Sequence, residues 1–221
     1  MDFEFVRYHP LWEQLTFAEG LRVLDFGSGA GQTADHLAAR NTVTAIEPCA
    51  EQIARCERNH AYAQIQGSID DLPGEQFDLV ACHNVLEFVD DRERYLEELA
   101  KRVRPGGRLS ILKHNLAGKA LRRDDPAGAL MLLQGREQAS NRWGTIRVYD
   151  TGELIEWAEQ RGFTLEQHYG IHAIFPLGPN GGGWDDREAL LALERYTAQL
   201  EPYRSVAYYH HVILRRTEAA I

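Results

Sequence analysis

The 221-residue sequence has few cysteines and no long hydrophobic run. Its three cysteines, Cys49, Cys56 and Cys82, show no C-x-x-C spacing, which argues against a disulfide scaffold or a zinc site. No run of about 18 apolar residues is present, so no transmembrane helix is predicted. The segment Met1–Arg7 contains two acids and no apolar core, which is not typical of a signal peptide. We therefore expect a cytoplasmic protein with free thiols.

Metal-binding patterns, repeats and low-complexity linkers are also missing. The nine histidines form no H-x-x-x-H or H-E-x-x-H grouping that comes with a third ligand, so we predict no metal site. The length favours one domain over residues 1–221.

Positive charge is scarce overall but concentrated in one stretch. The net charge is −9, yet residues 101–147 hold eleven Lys and Arg against three acids, which makes this stretch near +8 and the rest near −17. Such asymmetry can mark a face for an anionic partner such as RNA. The alternative is a set of solvated surface arginines.

Short apolar runs alternate with helical patterns along most of the chain, which is typical of a parallel sheet built from βαβ units. The predicted strands are 21–26, 41–46, 61–66, 77–82, 108–113, 163–174 and 206–214. The predicted helices are 10–19, 31–40, 50–59, 90–103, 151–160 and 185–200. The polar segment 114–147 fits neither pattern, and 176–183 is a Gly/Pro-rich loop. We expect a doubly wound α/β fold with a core at about 20–113 and a substrate-facing region at about 114–200.

The strongest motif is a glycine-rich turn after the first predicted strand. Asp25 ends that strand, and Gly27, Gly29 and Gly31 follow it. Glycine permits a sharp turn and lets a ligand approach the backbone. We expect the amides of residues 29–32 to open a helix and face a carboxylate or phosphate. The spacing G-x-G-x-G differs from the dinucleotide fingerprint G-x-G-x-x-G, which argues against a nicotinamide oxidoreductase.

Polar residues follow three further predicted strands. Glu47 comes at the end of the second, 67–73 follows the third, and 82–87 follows the fourth. An acid at the second strand end can accept both ribose hydroxyls of an adenosine. Ligands bind at the carboxyl ends of the strands in open α/β sheets, so these segments should meet at one site.

This order of motifs resembles the class I S-adenosylmethionine (SAM) dependent methyltransferases over about residues 20–113. The resemblance implies a Rossmann-like sheet with an antiparallel last strand. It implies that the glycine turn contacts the methionine part of SAM, Asp25 its amino group, and Glu47 the ribose. The implied cofactor residues are Asp25, Gly27, Ser28, Gly29, Gly31, Gln32, Glu47, Pro48, Ser68, Ile69 and His83. Many relatives have an acid where Ser68 stands, which affects the contact with the adenine edge.

A narrower resemblance is to the tRNA 5-carboxymethoxyuridine methyltransferases, which methylate the side-chain carboxylate of a modified wobble uridine. It rests on Arg7 with 11–15, on 31–34, on 83–87, and on Glu194 with the later 201–203 and 211–212 segments. The resemblance implies that Arg7 contacts SAM and that tRNA is the partner. His172 and Tyr208 stand where that family has arginines, which weakens the match at the acceptor.

Candidate acceptor residues lie beyond the predicted core. A carboxylate acceptor is already ionised and needs a cation or hydrogen-bond donors, whereas a phenol or amine more often needs a base. His114 and His210 are further polar residues of this region. A small-molecule acceptor and a non-catalytic SAM-binding protein remain alternatives. The predicted acceptor residues are Asn115, Arg147, Tyr149, His172, Tyr203 and His211.

Overall fold

The computed structural model describes residues 3–136, 139–141, 144–174 and 186–218, and the side chains of 3–7 and 139–141 are outside this description. The strands are β1 (Arg22–Phe26), β2 (Thr42–Glu47), β3 (Ala63–Gln66), β4 (Phe77–His83), β5 (Val103–His114), β6 (Ala139–Asn141), β7 (Gly144–Ile146), β8 (Phe163–Ile171) and β9 (Tyr209–Arg216). The helices are α1 (Phe3–Gln14), α2 (Gln32–Ala38), α3 (Ala50–Ala54), α4 (Arg92–Arg102), α5 (Leu116–Leu121), α6 (Pro126–Leu133), α7 (Thr151–Glu159), α8 (Arg187–Thr197) and α9 (Tyr203–Val206). A short 3-10 helix covers Ile69–Asp71.

A seven-stranded sheet in the order β3-β2-β1-β4-β5-β9-β8 forms the centre of the molecule. The first five strands are parallel, and β9 pairs antiparallel with both β5 and β8. Central strands buried on both faces should have nearly continuous apolar runs, as β1 and β4 do. The predicted α/β class, mostly parallel with an antiparallel last strand, is confirmed.

Two hydrophobic cores cover the two faces of the sheet. Successive strand residues point to opposite faces. Val23 accordingly packs in a core with Leu11 of α1 and Leu37 of α2. Leu24 packs in the other core with Leu99 of α4, and that core also receives α7. The helices packed on both faces therefore fix the positions of the carboxyl ends of the parallel strands.

Two predicted helices have different bounds in the structure. The predicted helix 10–19 is found as α1, which begins at Phe3, ends at Gln14 and contains Pro10 in its interior. Proline there removes a helical hydrogen bond, and burial of the following Leu11 at 0% exposure favours the helix nevertheless. The predicted helix 50–59 ends at Ala54, because none of its residues is buried and no packing extends it.

The segment 114–147, predicted as irregular, contains α5, α6 and the two-stranded β6-β7 sheet. The start of α6 has a sequence signature, since the Asp125 carboxylate accepts from two amides and Pro126 occupies the first turn. The Asp186 carboxylate caps α8 by accepting from the Ala189 amide. The predicted loop 176–183 lies outside the described residues. No described helix has the length and apolar character needed to cross a bilayer.

Candidate functional site

A cavity of about 960 Å³ opens at the carboxyl ends of β1, β2, β4 and β5. This is the edge at which ligands bind in open α/β sheets. Most of the predicted cofactor residues lie in its wall. They are Asp25, Gly27, Ser28, Gly29, Gln32, Glu47, Pro48, Ser68 and His83. The turn after β1 and the ends of the neighbouring strands therefore meet around one space, as the sequence predicts.

Two predicted cofactor residues, Gly31 and Ile69, lie outside the wall of this cavity, and the prediction for Arg7 is not tested. Gly31 lies behind the wall, where an added Cβ would meet the Cys56 Sγ at 2.8 Å. Ile69 is 4% exposed and packs in the core beneath the 3-10 helix. Arg7 is part of α1, and its side chain lies outside the described residues.

Two glycines of the turn have different surroundings. Gly27 and Gly29 have φ of 73° and 56°, a left-handed region that L side chains rarely adopt. An added Cβ at Gly27 would clash with Val85, whereas one at Gly29 would enter open space. Gly27 therefore permits close packing of the turn, and Gly29 leaves room on the cavity side.

Two of the four amides expected to face a ligand, those of Gly29 and Gly31, hydrogen-bond within the protein instead, as do the preceding Gly27 and Ser28 amides. The Gly27 and Ser28 amides donate to the Ile46 carbonyl at 2.8 and 3.1 Å, and the Gly31 amide donates to the Ser28 carbonyl at 2.9 Å. The Gly29 amide donates to Glu47 Oε2 at 3.0 Å. The helix that follows is also shorter than predicted, with seven residues. These four amides fix the shape of the turn.

Asp25 and Glu47 place two carboxyl groups on adjacent strands in the cavity wall. Glu47 is held at both oxygens, because the Cys49 amide donates to Oε1 at 3.0 Å and the Gly29 amide to Oε2. Asp25 is 2% exposed, and its Oδ2 has no hydrogen-bond partner among the described residues. Burial, together with the nearby Glu47, raises the pKa of Asp25 to about 7. A buried oxygen without a partner is a site where a ligand donor is favoured.

The segment after β3 uses its polar groups locally. Ser68 caps the 3-10 helix, where its hydroxyl accepts from the Asp70 amide and its own amide donates to Asp71 Oδ2 at 2.8 Å. Ser68 is half-buried and reaches the cavity wall. Ser68 and Asp71 form a capping box, in which Ser68 supplies the hydroxyl and Asp71 the carboxylate. This local role accounts for the serine at position 68.

A chain of hydrogen bonds runs from His83 to α1. His83 Nε2 lies 2.8 Å from Ser110 Oγ, which lies 2.8 Å from His211 Nε2, and His211 Nδ1 lies 2.7 Å from Gln14 Oε1. Burial, with His83 and His168 nearby, holds the pKa of His211 well below its usual range. Since an amide oxygen only accepts, neutral His211 donates from Nδ1 and accepts the Ser110 hydroxyl at Nε2, and Ser110 accepts from His83. Predicted as an acceptor residue, His211 instead orients His83 from behind the wall.

Two other predicted acceptor residues make contacts within the protein. The Asn115 amide group donates to the carbonyls of Ser205 and Ala207, both at 2.8 Å. The Arg147 guanidinium pairs with Asp90 at 2.8 Å. Asn115 thus joins the end of β5 to the segment before β9, and Arg147 holds a loop.

The remaining three predicted acceptor residues also lie outside the described cavity wall. Tyr149 is 8% exposed, and its ring lies under the charged groups of Arg92 and Lys113 at 4.1 and 4.5 Å. His172 is fully buried, and its backbone φ is 59°. Tyr203 begins α9 and is 38% exposed. Packing and surface positions therefore account for these side chains.

Aromatic rings line the other side of the cavity, and among them Tyr8, Trp12 and Tyr209 were not predicted as acceptor residues. Trp12 stacks on His36 with ring centroids 4.4 Å apart, and Tyr8 stacks on Trp12 at 5.7 Å. Tyr209 and His114 form the adjoining wall from β9 and β5. The spacing of Tyr8 and Trp12, four residues apart, places them on one helix face and was a usable signal. The position of Tyr209 depends on antiparallel pairing, which local sequence does not reveal.

Most of the cations that the structure describes in the basic stretch have partners within the protein. Arg108 forms a bidentate pair with Glu166 at 2.6 and 2.8 Å, and Lys113 is 1% exposed. Further ion pairs in this stretch are Lys101–Glu98, Arg102–Glu98, Arg104–Asp78, Arg123–Asp125 and Arg147–Asp90. The charge asymmetry of the sequence is therefore largely balanced in three dimensions.

Arg122 is the clearest case of a structural cation in this stretch. Its guanidinium donates to four backbone carbonyls, at distances from 2.7 to 3.1 Å. The acceptors are the carbonyls of Gly118, His172, Ala173 and Val206. Arg122 thus joins α5 to the end of β8 and to α9. Among the described residues, no cluster of three or more His, Cys, Asp or Glu side chains could hold a metal ion.

Comparison with known proteins adds family relationships to this geometry. The family described as methyltransferase domain matches residues 24–111. The chain is 30% identical to tRNA 5-carboxymethoxyuridine methyltransferase of Escherichia coli K12, over 97% of this chain and 89% of that protein. It is 29% identical to a ubiquinone biosynthesis O-methyltransferase of Coxiella burnetii, over 76% of this chain and 73% of that protein.

A solved structure shares the fold across nearly the whole molecule. The S-adenosylmethionine dependent methyltransferase from Mesorhizobium loti superposes with a TM-score of 0.65 at 17% identity, covering 96% of this chain and 98% of that one. The shared architecture includes the edge of the sheet at which the cavity opens.

Proposed function

The chain belongs to the SAM-dependent methyltransferases, and from that premise we propose that it methylates the side-chain carboxylate of a modified wobble uridine in tRNA. SAM is the cofactor of this family. The observation that supports the tRNA acceptor is the extent of the match to the E. coli tRNA methyltransferase. That match covers 97% of this chain, and so extends beyond the domain match at 24–111 to α1 and β9. These outer elements supply the aromatic wall of the cavity.

The cavity fits SAM on its own features. The Asp25 Oδ2 and Ser28 Oγ atoms are buried without hydrogen-bond partners among the described residues, and open space lies beside Gly29. Asp25 would hold the amino group of the methionine part, and the Glu47 carboxylate would accept the ribose hydroxyls. Pro48 and Ser68 would lie along the adenine, and His83 beside the methionine.

When bound, SAM supplies a methyl group activated on a sulfonium. The side chains of this protein then have to align the acceptor and exclude water. A carboxylate acceptor carries its own nucleophilic oxygen at neutral pH, so no general base is needed. The aromatic wall of Tyr8, Trp12 and Tyr209 suits a flat base, since aromatic rings stack on nucleobases.

The test is incubation of the protein with labelled SAM and tRNA from cells that lack it, followed by nucleoside analysis. We expect label in a methyl ester at the wobble uridine. Treatment with mild base should release it, because esters hydrolyse and N-methyl or ring C-methyl groups do not. Transfer RNA from cells that contain the protein is the control, since its sites already carry the methyl group. Label elsewhere in tRNA, or none, would contradict the proposal.

A second candidate is a small-molecule acceptor. Two observations favour it. Most of the described cations of residues 101–147 form ion pairs or other contacts within the protein, which leaves few to bind RNA phosphates. The chain is also similar to the C. burnetii O-methyltransferase. In that case, bulk tRNA would receive no label. A phenolic acceptor would be methylated instead, in a reaction that needs a base to remove the phenol proton.

A further inference from the structure

Asn84 lies in the cavity wall at the exit of β4, between the turn after β1 and the end of β5. Its backbone amide donates to the carbonyl of Leu112 on β5 at 2.7 Å. The next residue, Val85, occupies the space that an added Cβ at Gly27 would need. Asn84 is thus beside the turn proposed to hold the methionine part of SAM, and also beside the strand that pairs with β9 of the aromatic wall.

The side-chain amide of Asn84 forms no hydrogen bond with any other residue that the structure describes. The residue is half-buried, and its Oδ1 atom is fully buried. Asn59, a second asparagine of the wall, differs in this respect. Its Nδ2 donates to Asp35 Oδ2 at 3.1 Å, and its backbone amide donates to Asp35 Oδ1 at 2.7 Å. Since buried polar groups normally have partners, the unused amide of Asn84 is a site where a ligand with a donor and an acceptor is favoured.

Backbone conformation alone does not account for an asparagine at this position. The φ of Asn84 is 56°, in the left-handed region. Asparagine enters this region more readily than most residues, and glycine enters it more readily still. A glycine would therefore satisfy the backbone and would leave no amide unpaired. A role in backbone conformation and a role in ligand binding consequently predict different behaviour of an Asn84→Gly variant.

The chemistry of an amide side chain indicates which ligand group it can bind. An amide presents a donor and an acceptor side by side in one plane. The matching partner is a planar group in which a carbonyl adjoins an N–H, and uracil has this pattern at O4 and N3. Asparagine pairs with base edges through two such hydrogen bonds, and unstacked RNA bases are recognised at their Watson–Crick edges. The terminal torsion of asparagine is broad, so either atom of the amide can turn toward the ligand.

This inference rests on the proposed function. We propose that the Asn84 amide pairs with the imide edge of the wobble uracil and so selects a base with this edge. Oδ1 accepts from the N3–H group, and Nδ2 donates to O4. Because C5 of uracil adjoins the C4 carbonyl, a base held at O4 keeps its carboxymethoxy group close to Asn84. That group is then also close to His83, beside which the methionine part of SAM is proposed to lie.

The experiment measures binding of two anticodon stem-loops to the protein saturated with S-adenosylhomocysteine. The first carries 5-carboxymethoxyuridine at the wobble position, and the second carries its N3-methyl derivative, which lacks the N3 donor. We expect N3 methylation to weaken binding by about tenfold or more in the wild type, and by about twofold or less in Asn84→Gly. Asn84→Gly should also bind the first stem-loop about tenfold more weakly than the wild type. Asn59→Ala is the matched control and should keep the wild-type effect of N3 methylation, because the amide of Asn59 is committed to Asp35.

The outcomes separate this inference from the proposed function. If the wild type methylates the first stem-loop while Asn84→Gly retains the full effect of N3 methylation, the role of Asn84 is wrong and the tRNA acceptor stands. Asn84→Asp keeps the shape and an accepting oxygen but cannot donate to O4. If it binds the first stem-loop as tightly as the wild type, the pairing with O4 is wrong. If the wild type methylates no tRNA, the proposed function fails and this inference fails with it. A Kd for S-adenosylhomocysteine close to the wild-type value shows that each variant is folded.

Discussion

The side of the cavity proposed to hold the cofactor, formed by residues 25–30, 32, 47–48, 68 and 83, differs from the side proposed to hold the acceptor in how its residues are brought together. We call these the cofactor side and the acceptor side. On the cofactor side, each residue lies at or just after the end of a strand, as the sequence predicts. The acceptor side is formed by α1, by the end of β5 and by β9. Along the chain, the end of α1, the end of β5 and the start of β9 are separated from one another by about 100 residues or more. The predicted acceptor residues turned out to make packing or hydrogen-bond contacts elsewhere.

The difference follows from the distance over which contacts form. A glycine turn, a strand end and a helix start are neighbours along the chain, so residue spacing reports their geometry. The chain His83–Ser110–His211–Gln14 joins positions from both ends of the sequence. Its members acquire a role only when β9 inserts between β5 and β8. A histidine in this region is therefore equally consistent with packing, with orientation of another residue, or with acceptor contact.

Arg122→Ala tests whether the acceptor side is built by structural polar contacts. Removing the guanidinium leaves four carbonyls without that donor, and we expect the free energy of unfolding to fall by about 3 kcal/mol. Arg123→Ala is the matched control, since its ion pair with Asp125 at 3.6 Å is partly exposed and worth about 1 kcal/mol or less. Chemical denaturation measures both. A stable Arg122→Ala protein with weakened tRNA binding would contradict this structural role and indicate that Arg122 contacts RNA.

Glu47→Ala tests the ribose contact on the cofactor side. We expect SAM affinity to fall by about 1–3 kcal/mol, because the acceptor of the ribose hydroxyls is lost and the Gly29 amide loses its partner. Isothermal titration calorimetry with SAM gives the value. Glu13→Ala is a control carboxylate, since it pairs with Arg195 at the surface. Equal SAM affinity in Glu47→Ala and the wild type would mean that the ribose lies elsewhere.

Comparison of Gly29→Ala with Gly20→Ala distinguishes loss of space for the ligand from backbone strain. An alanine Cβ at Gly29 meets nothing within 4 Å, and the same is true at Gly20, where φ is 69°. Both substitutions should therefore lower the free energy of unfolding by a similar amount, about 1 kcal/mol. Only Gly29→Ala should weaken SAM binding, by about 1–2 kcal/mol, because its methyl group enters the cavity. A loss of affinity in both variants would assign the effect to strain.

The fold and the cofactor side could be read from the sequence to a large extent, and the acceptor side could not. Most strand bounds of the seven-stranded sheet were predicted within a few residues because buried parallel strands have short apolar runs, although β5 begins at Val103, five residues before the predicted start. Two of the four amides expected to face a ligand were misassigned, since local sequence does not show that Glu47 on the next strand accepts from the Gly29 amide or that the Ser28 carbonyl accepts from the Gly31 amide. The charges of 101–147 were visible, but their partners Asp78, Asp90 and Glu166 lie in other elements. Glu87 Oε1 lies 2.9 Å from His114 Nδ1, a pair that joins two strand ends and that neither residue alone predicts.

The titration of Asp25 gives the finest test of the cofactor side. Burial raises its pKa from 3.8 to about 7, so the folded protein without ligand retains a proton that the unfolded chain releases between these values. Its stability should therefore fall as pH rises through this window, and Asp25→Asn should remove that dependence. If the carboxylate holds the SAM amino group, binding releases this proton below pH 7. SAM affinity should then rise about fivefold from pH 6 to 7, before the amino group of SAM itself deprotonates near 8. Calorimetry in buffers of different ionisation enthalpy measures the released proton, and a flat profile in the wild type would remove Asp25 from the amino-group contact.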